Sequence, residues 1–386
     1  MTEGLYDFDE MIDRRGSASE KWDRYRGRDI IPLWVADMDF RSPPAIIEAL
    51  HERVSHGVFG YTAPPEGLAQ AVVDSLLSEF GWQVSKEWIT WLPGLVTGLN
   101  VCCRAVGVTE DEVITFTPVY PPFMSAPPLS GRQLVKVPLR LANGRWGLDL
   151  EALEQAVTAR TRLLLLCSPH NPVGRVWTRE ELESLAGFAD RHDLVICSDE
   201  IHAGLVIDEG VEHTPIATLS PKTDRRTITL LAPSKTFNVP GLGCSFAVIS
   251  DPVLRRAFRQ AMGRIVPHVN LLGYTAAEAA YRHGDEWRRQ LLVYLRGNRD
   301  LVAREVAKMP GLGVSHVEAT YLSWIDVRAS GIEDPVRFFE QAGVGLSGGA
   351  DFGLEGFVRL NFGCPRPLLA EALGRMRTAL QRRGKP

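Results

Sequence analysis

The chain has 386 residues, 45% of them hydrophobic, enough for one large α/β domain with a smaller partner and a sizeable core, which excludes a chain disordered over most of its length. Lys plus Arg number 43 against 47 Asp plus Glu, a formal net charge of −4, so nothing global draws the chain to nucleic acid or to anionic lipid and a small-molecule substrate is expected. The six cysteines (Cys102, Cys103, Cys167, Cys197, Cys244 and Cys364) form no C-x-x-C pair and have no histidine at zinc spacing, so they read as reduced core residues and no metal is expected.

The start, MTEGLYDFDEMIDRRG, is acidic and lacks the apolar core of a secretory signal, which together with the lack of a membrane span implies a cytoplasmic protein. From about Trp88 to Ser250 short apolar runs alternate with helical patterns, the signature of a mostly parallel sheet covered by helices on both faces. Strands are expected at Val113 to Thr115, Leu163 to Cys167, Val195 to Ser198, Ile228 to Leu231 and Phe246 to Ile249, and another leads into WLPGLVTGLN. The uncharged stretch from Val113 to Gly131 is broken by five prolines, so it is no membrane span, and PVYPPFMSAPPLSG within it reads as an ordered loop. In TREELESLAGFADRHD, Thr178 and Glu181 predict a capping box, with Leu182, Leu185, Ala186 and Ala189 on one apolar face. After about residue 284 the pattern changes to an Arg-rich helix from Glu286 to Met309, strand runs in TYLSWIDV and FVRLNFG, and a terminal helix. The expected division is a large domain over 46–284 and a small α+β domain from 1–45 together with 285–386.

Several polar clusters follow the strands directly, where open α/β sheets place their ligands. LAPSKTFNVPG sets Lys235 in an otherwise uncharged neighbourhood; it is either a solvated lysine or an amine whose lowered pKa suits it to form an imine. Asp199 in SDEIH is either a helix cap or buried ion-pair partner, or the carboxylate that holds a pyridine nitrogen protonated, making the ring an electron sink. Asn171 in SPHNPVGRVWT either makes a turn or donates its amide to a cofactor oxygen. Gly94 begins either a plain strand-to-helix turn or a phosphate cradle of free N–H groups. Tyr120 in PVYPPF is a core aromatic or a ring stacked on a flat heterocycle, and Arg359 in FVRLNFG pairs with any acid or clamps a substrate carboxylate with its planar fork. One hypothesis, a pyridoxal phosphate site acting on an amino acid, accounts for all six.

On SEKWD, WVADMDF, FGYT, PGLVTGL, PVYPPF, SPHNPVGRVWT, SDEIH, SKTFN, TYLSWIDVR and RLNFGCPR, nearly the full length resembles the fold-type-I pyridoxal-phosphate enzymes of the class I/II aminotransferase family. Within them it is most similar to the branch of cystathionine β-lyases and related C–S lyases that includes the maltose regulon modulator. The resemblance implies a mostly parallel seven-stranded sheet between helices plus a smaller α+β domain, with pyridoxal 5'-phosphate as cofactor. It implies that Lys235 carries the cofactor as an imine, that Asp199 faces its ring nitrogen and that Asn171 bonds its phenolic oxygen. It further implies that Tyr120 stacks on the ring, that Gly94, Leu95, Val96 and Ser234 serve the phosphate, and that Arg359 binds the substrate carboxylate. Tyr61 in FGYT matches a tyrosine that reaches the neighbouring subunit's phosphate, which implies a homodimer with shared active sites. Two positions depart from the broader pattern. His202 stands where many relatives place a tyrosine on the phenolic oxygen, and Gly243 where many place a phosphate-binding arginine. The implied reaction is α,β-elimination of cystathionine or another cysteine S-conjugate to thiol, pyruvate and ammonia, with Lys235 as the base. An aminotransferase using the same lysine, aspartate and asparagine is the alternative. A third reading is a regulatory protein that binds the cofactor and acts through protein contact; a start so near the first family motif leaves no room for a DNA-binding domain.

Overall fold

The computed structural model describes residues 6–383. Its central sheet has seven strands, β1 (Ile89–Leu92), β2 (Glu112–Thr117), β3 (Gln133–Pro138), β4 (Thr161–Cys167), β5 (Val195–Asp199), β6 (Thr227–Leu231) and β7 (Ser245–Val248). They lie in the order β1-β7-β6-β5-β4-β2-β3. β7 runs antiparallel to both its neighbours, and the remaining pairs are parallel. The inner strands are apolar on both faces; Leu163 to Leu166 are all fully buried, as a sheet covered by helices on each side requires.

Helices α1 (Leu95–Ala105), α2 (Pro122–Leu129), α3 (Arg179–Arg191), α4 (Asp285–Val306) and α5 (Arg366–Arg383) carry the features used below. The Thr178 to Glu181 capping box forms as expected, and Leu182, Leu185, Ala186 and Ala189 are buried. α2 corrects the sequence reading, because the proline-rich segment is helical rather than a loop. Pro121 and Pro122 sit at its start, where an N–H would lack an intrahelical acceptor anyway, and burial of Phe123 and Ala126 offsets the bonds forgone at Pro127 and Pro128. All six cysteines are free and buried, and no helix among the described residues is long and apolar enough to cross a membrane.

A second, antiparallel sheet is made of β8 (Gly313–Val314), β9 (Leu322–Asp326), β10 (Ser347–Gly348) and β11 (Phe357–Asn361), in the order β8-β9-β11-β10. Near the N-terminus, Ile31–Pro32 pairs in parallel with Val344–Gly345. The chain then continues as Trp34 to Phe40, a strap whose Val35 and Ala36 line the site described next.

Candidate active site

Parallel register sets the floor of the site. Cys167 pairs with Asp199, and Asp199 with Leu230, so β4, β5 and β6 end at one level and deliver Asn171, Asp199 and Lys235 to the same edge. β1 turns into α1 alongside them. Except for Tyr61, every residue singled out from the sequence (Gly94, Leu95, Val96, Tyr120, Asn171, Asp199, His202, Ser234, Lys235 and Arg359) lines one cavity of about 220 Å³. Tyr61 is fully exposed and contributes nothing to this cavity within its own chain.

Gly94 is extended (φ 178°, ψ 155°) and caps α1 without any side-chain hydrogen bond to the helix start. A Cβ at Gly94 would meet nothing within 4 Å, so the glycine opens on free space, and the first N–H groups of α1 lack intrahelical acceptors. Opposite it, Gly243 has φ +58°, and a Cβ there would lie 3.0 Å from the Pro93 carbonyl. Glycine supplies no cation at that position, so a phosphate held here would be met by helix N–H groups and hydroxyls instead.

Lys235 is partly buried, and its Nζ donates to the Ala36 carbonyl at 2.5 Å. Burial lowers its pKa to about 8; Asp37 and Asp199 work against that shift and Arg359 adds to it. Asp199 is pushed up to about 7, chiefly by burial, although its Oδ1 accepts the Ile201 N–H at 3.1 Å. Arg359, on β11, donates through Nη1 to Asn171 Oδ1 at 3.1 Å and through Nη2 to the Trp34 carbonyl at 2.8 Å. Its guanidinium lies 4.7 Å from the Phe352 ring centroid. Burial lowers it to about 10, which leaves it cationic at neutral pH. Burial, with Lys235 and Arg359 nearby, lowers His202 to about 3, so its imidazole is neutral. Tyr120 is half-buried, and burial raises its hydroxyl.

Two functional features escaped the sequence reading. WVADMDF carried only family likeness, yet its Val35 and Ala36 line the cavity. Tyr321 was noted only within TYLSWIDVR, yet its hydroxyl donates to the same Ala36 carbonyl at 2.9 Å. A main-chain carbonyl has no sequence signature, so neither contact was open to prediction. Cys167, expected only as core, also lines the cavity, and its Sγ accepts the Asn171 N–H at 3.4 Å.

The chain matches the family described as aminotransferase class I and II over residues 28–376. It belongs to that family. Among curated members, cystathionine beta-lyase PatB of Bacillus subtilis (strain 168) is 38% identical over 385 residues, covering 97% of this chain and 99% of its own. Among solved structures of the aminotransferase fold, that of OvoB superposes with a TM-score of 0.95 at 50% identity, covering 97% of this chain and 99% of its own. Cystalysin from Treponema denticola, solved with a pyridoxal 5'-phosphate cofactor, superposes with a TM-score of 0.94 at 33% identity, covering 98% and 99%. The seven-stranded α/β architecture expected from the sequence is therefore that of the family.

The donor set also fits the family's flat, anionic cofactor. An uncapped helix start, a buried carboxylate and a partly buried amine face one cavity. Moreover, His202 Nδ1 and Arg359 Nε are buried without partners, a cost that a ligand bearing polar groups would remove.

Proposed function

We propose that the chain is a pyridoxal-phosphate-dependent C–S lyase that cleaves cystathionine or a related cysteine S-conjugate to a thiol, pyruvate and ammonia. The observation that carries this reading is the convergence of Lys235 Nζ, Asp199 and the Arg359–Asn171 pair on one cavity at the start of α1. Its likeness to PatB, a cystathionine beta-lyase, supports the lyase branch.

Bound pyridoxal phosphate supplies a protonated ring that draws electrons from the substrate's Cα. The N–H groups of Leu95 and Val96, with Ser234, hold its phosphate. Asp199 keeps a negative charge against the ring nitrogen, and Tyr120 packs on the ring face. The Asn171 amide and the neutral His202 imidazole donate to the phenolic oxygen. Arg359 offers its fork to the substrate carboxylate and so fixes which Cα bond faces Lys235. Lys235 anchors the cofactor at rest; with its pKa lowered to about 8, its freed Nζ then takes the Cα proton. With that proton held by Lys235, the thiolate would leave from Cβ; return of the Lys235 amine to the cofactor would free the three-carbon product, which water would convert to pyruvate and ammonia.

Tyr61 lies in the stretch 57–65, which has no helix or strand, with Val58 and Phe59 exposed beside it. This apolar exposure supports a homodimer in which Tyr61 reaches the neighbouring site. The division into a domain over 46–284 and another from 1–45 with 285–386, residues 1–5 and 384–386 lying outside those described, belongs to the same reading. So does a cytoplasmic location, consistent with six free cysteines.

The test is a visible spectrum of the pure protein followed by pyruvate and thiol assays on cystathionine. Lys235→Ala should lose both the absorbance near 420 nm and turnover. Transfer of the amino group to a keto acid without pyruvate release would instead assign an aminotransferase.

A further inference from the structure

The Ala36 carbonyl accepts two hydrogen bonds, from Lys235 Nζ at 2.5 Å and from the Tyr321 hydroxyl at 2.9 Å. Tyr321 is 1% exposed, and its ring meets the His202 ring edge-on with centroids 6.3 Å apart. The Phe362 N–H donates to its carbonyl at 2.8 Å. The acceptor is equally fixed, since Asn361 Nδ2 donates to the Val35 and Asp37 carbonyls on either side of Ala36, at 2.6 and 2.7 Å. A carbonyl offers two lone pairs, and here both are taken by side chains that arrive from different elements.

We propose that Tyr321 is a positioning residue which, through the acceptor it shares with Lys235, keeps the released lysine amine pointed at the strap and biased toward its unprotonated, proton-accepting form. The proposal rests on the reading of Lys235 as the base. Its physical content is local. An O–H aimed at the carbonyl puts the positive end of its dipole there and weakens the hold that the same oxygen has on a proton at Nζ. The hydroxyl therefore acts in the same direction as burial and Arg359, and against Asp37 and Asp199. The other titratable groups lining the pocket add no charge at neutral pH, because His202 is held neutral and burial raises Tyr120, Cys167 and Cys244.

Tyr321→Phe deletes the hydroxyl and keeps the ring. In the cofactor-loaded enzyme, the acid limb of the pH profile of kcat, which reports groups in the substrate complex, should move to higher pH. A shift of roughly half a unit to one unit corresponds to one neutral hydrogen bond. The pH titration of the resting visible absorbance should not move, because Lys235 is then covalently engaged and makes no use of Ala36. A purely structural role would disturb both readings or neither. Should Tyr321→Phe fold poorly, 3-fluorotyrosine introduced at position 321 keeps the shape and strengthens the donor, and the limb should move to lower pH. An acid limb that stays put in both variants, or a resting titration that moves with it, overturns the proposal. Failure of the underlying reading looks different, since Lys235→Ala would then retain turnover.

Discussion

Replacing Arg359 with lysine separates the geometry of the carboxylate site from its charge. The guanidinium has three anchors, the Asn171 amide oxygen at 3.1 Å, the Trp34 carbonyl at 2.8 Å and the Phe352 ring at 4.7 Å. Its buried Nε has no partner. A lysine keeps the positive charge but offers a point donor where a carboxylate meets a fork. At least one charge-assisted hydrogen bond is lost, about 1.5–3 kcal/mol, or a fall in kcat/KM of roughly 10- to 150-fold. Most of it should appear in KM, because the carboxylate is held alike before and during proton removal. The assay is pyruvate release from a cysteine S-conjugate and from the carboxamide of the same compound. Wild type should strongly prefer the acid, and Arg359→Lys should lose most of that preference. Because Arg359 also holds Asn171, the resting visible spectrum serves as the control for cofactor placement. A variant that retains wild-type kcat/KM, or that loses equally on acid and amide, would falsify the assignment of Arg359 to the substrate carboxylate.

Three further perturbations follow from the same geometry. In the cofactor-free protein Asp199 titrates near pH 7 against an ordinary value of 3.8, and Lys235 near 8 against 10.5. Asp199 therefore contributes stability below pH 3.8 that is lost as pH rises to about 7. Lys235 contributes stability above 10.5 that is lost as pH falls to about 8. Asp199→Asn should raise the melting temperature of the cofactor-free protein more at pH 7.5 than at pH 5, as thermal scans across pH would read; equal shifts at both pH values would refute the titration argument. Gly94→Ala places a methyl group where a Cβ meets nothing within 4 Å, on a backbone any residue can adopt, so stability without cofactor should hold while cofactor affinity falls, as a spectrophotometric titration would detect. Tyr61→Phe, at a fully exposed side chain, should leave the melting temperature of the cofactor-free protein unchanged and weaken cofactor retention; unaltered retention would remove Tyr61 from the shared site.

Most residues legible in advance share one physical property: each stands at, or a few residues beyond, the end of a buried strand. An apolar run followed by Asn171, Asp199 or Lys235 is a local pattern, and parallel register then does the assembling, since Cys167, Asp199 and Leu230 align across neighbouring strands. Arg359 was legible for a related reason, as a single cation inside the apolar strand Phe357–Asn361. α2 was misread because local proline chemistry argued against a helix, and only the burial of Phe123 and Ala126 in the finished core outweighs it. The role proposed for Tyr61 lies between two chains, where no contact within one chain can reveal it.

The strap at Trp34–Met38 was illegible for a deeper reason, because its work is done by main-chain oxygens. Each of its five carbonyls accepts a side-chain hydrogen bond: Trp34 from Arg359 and Ser347, Val35 from Asn361, Ala36 from Lys235 and Tyr321, Asp37 from Asn361 and Lys21, and Met38 from Asn238 and Arg14. Beneath it, Lys21 and Arg14 are held at 2.7 and 2.6 Å by Asp39, which gives the SEKWD and WVADMDF motifs a common physical purpose. A segment whose carbonyls are all engaged resists local rearrangement, because any shift strands several buried acceptors at once. That rigidity lets one carbonyl, at Ala36, present a fixed post to a lysine 199 residues further along the chain, and it is why the direction of the catalytic amine depends on residues that never touch the substrate.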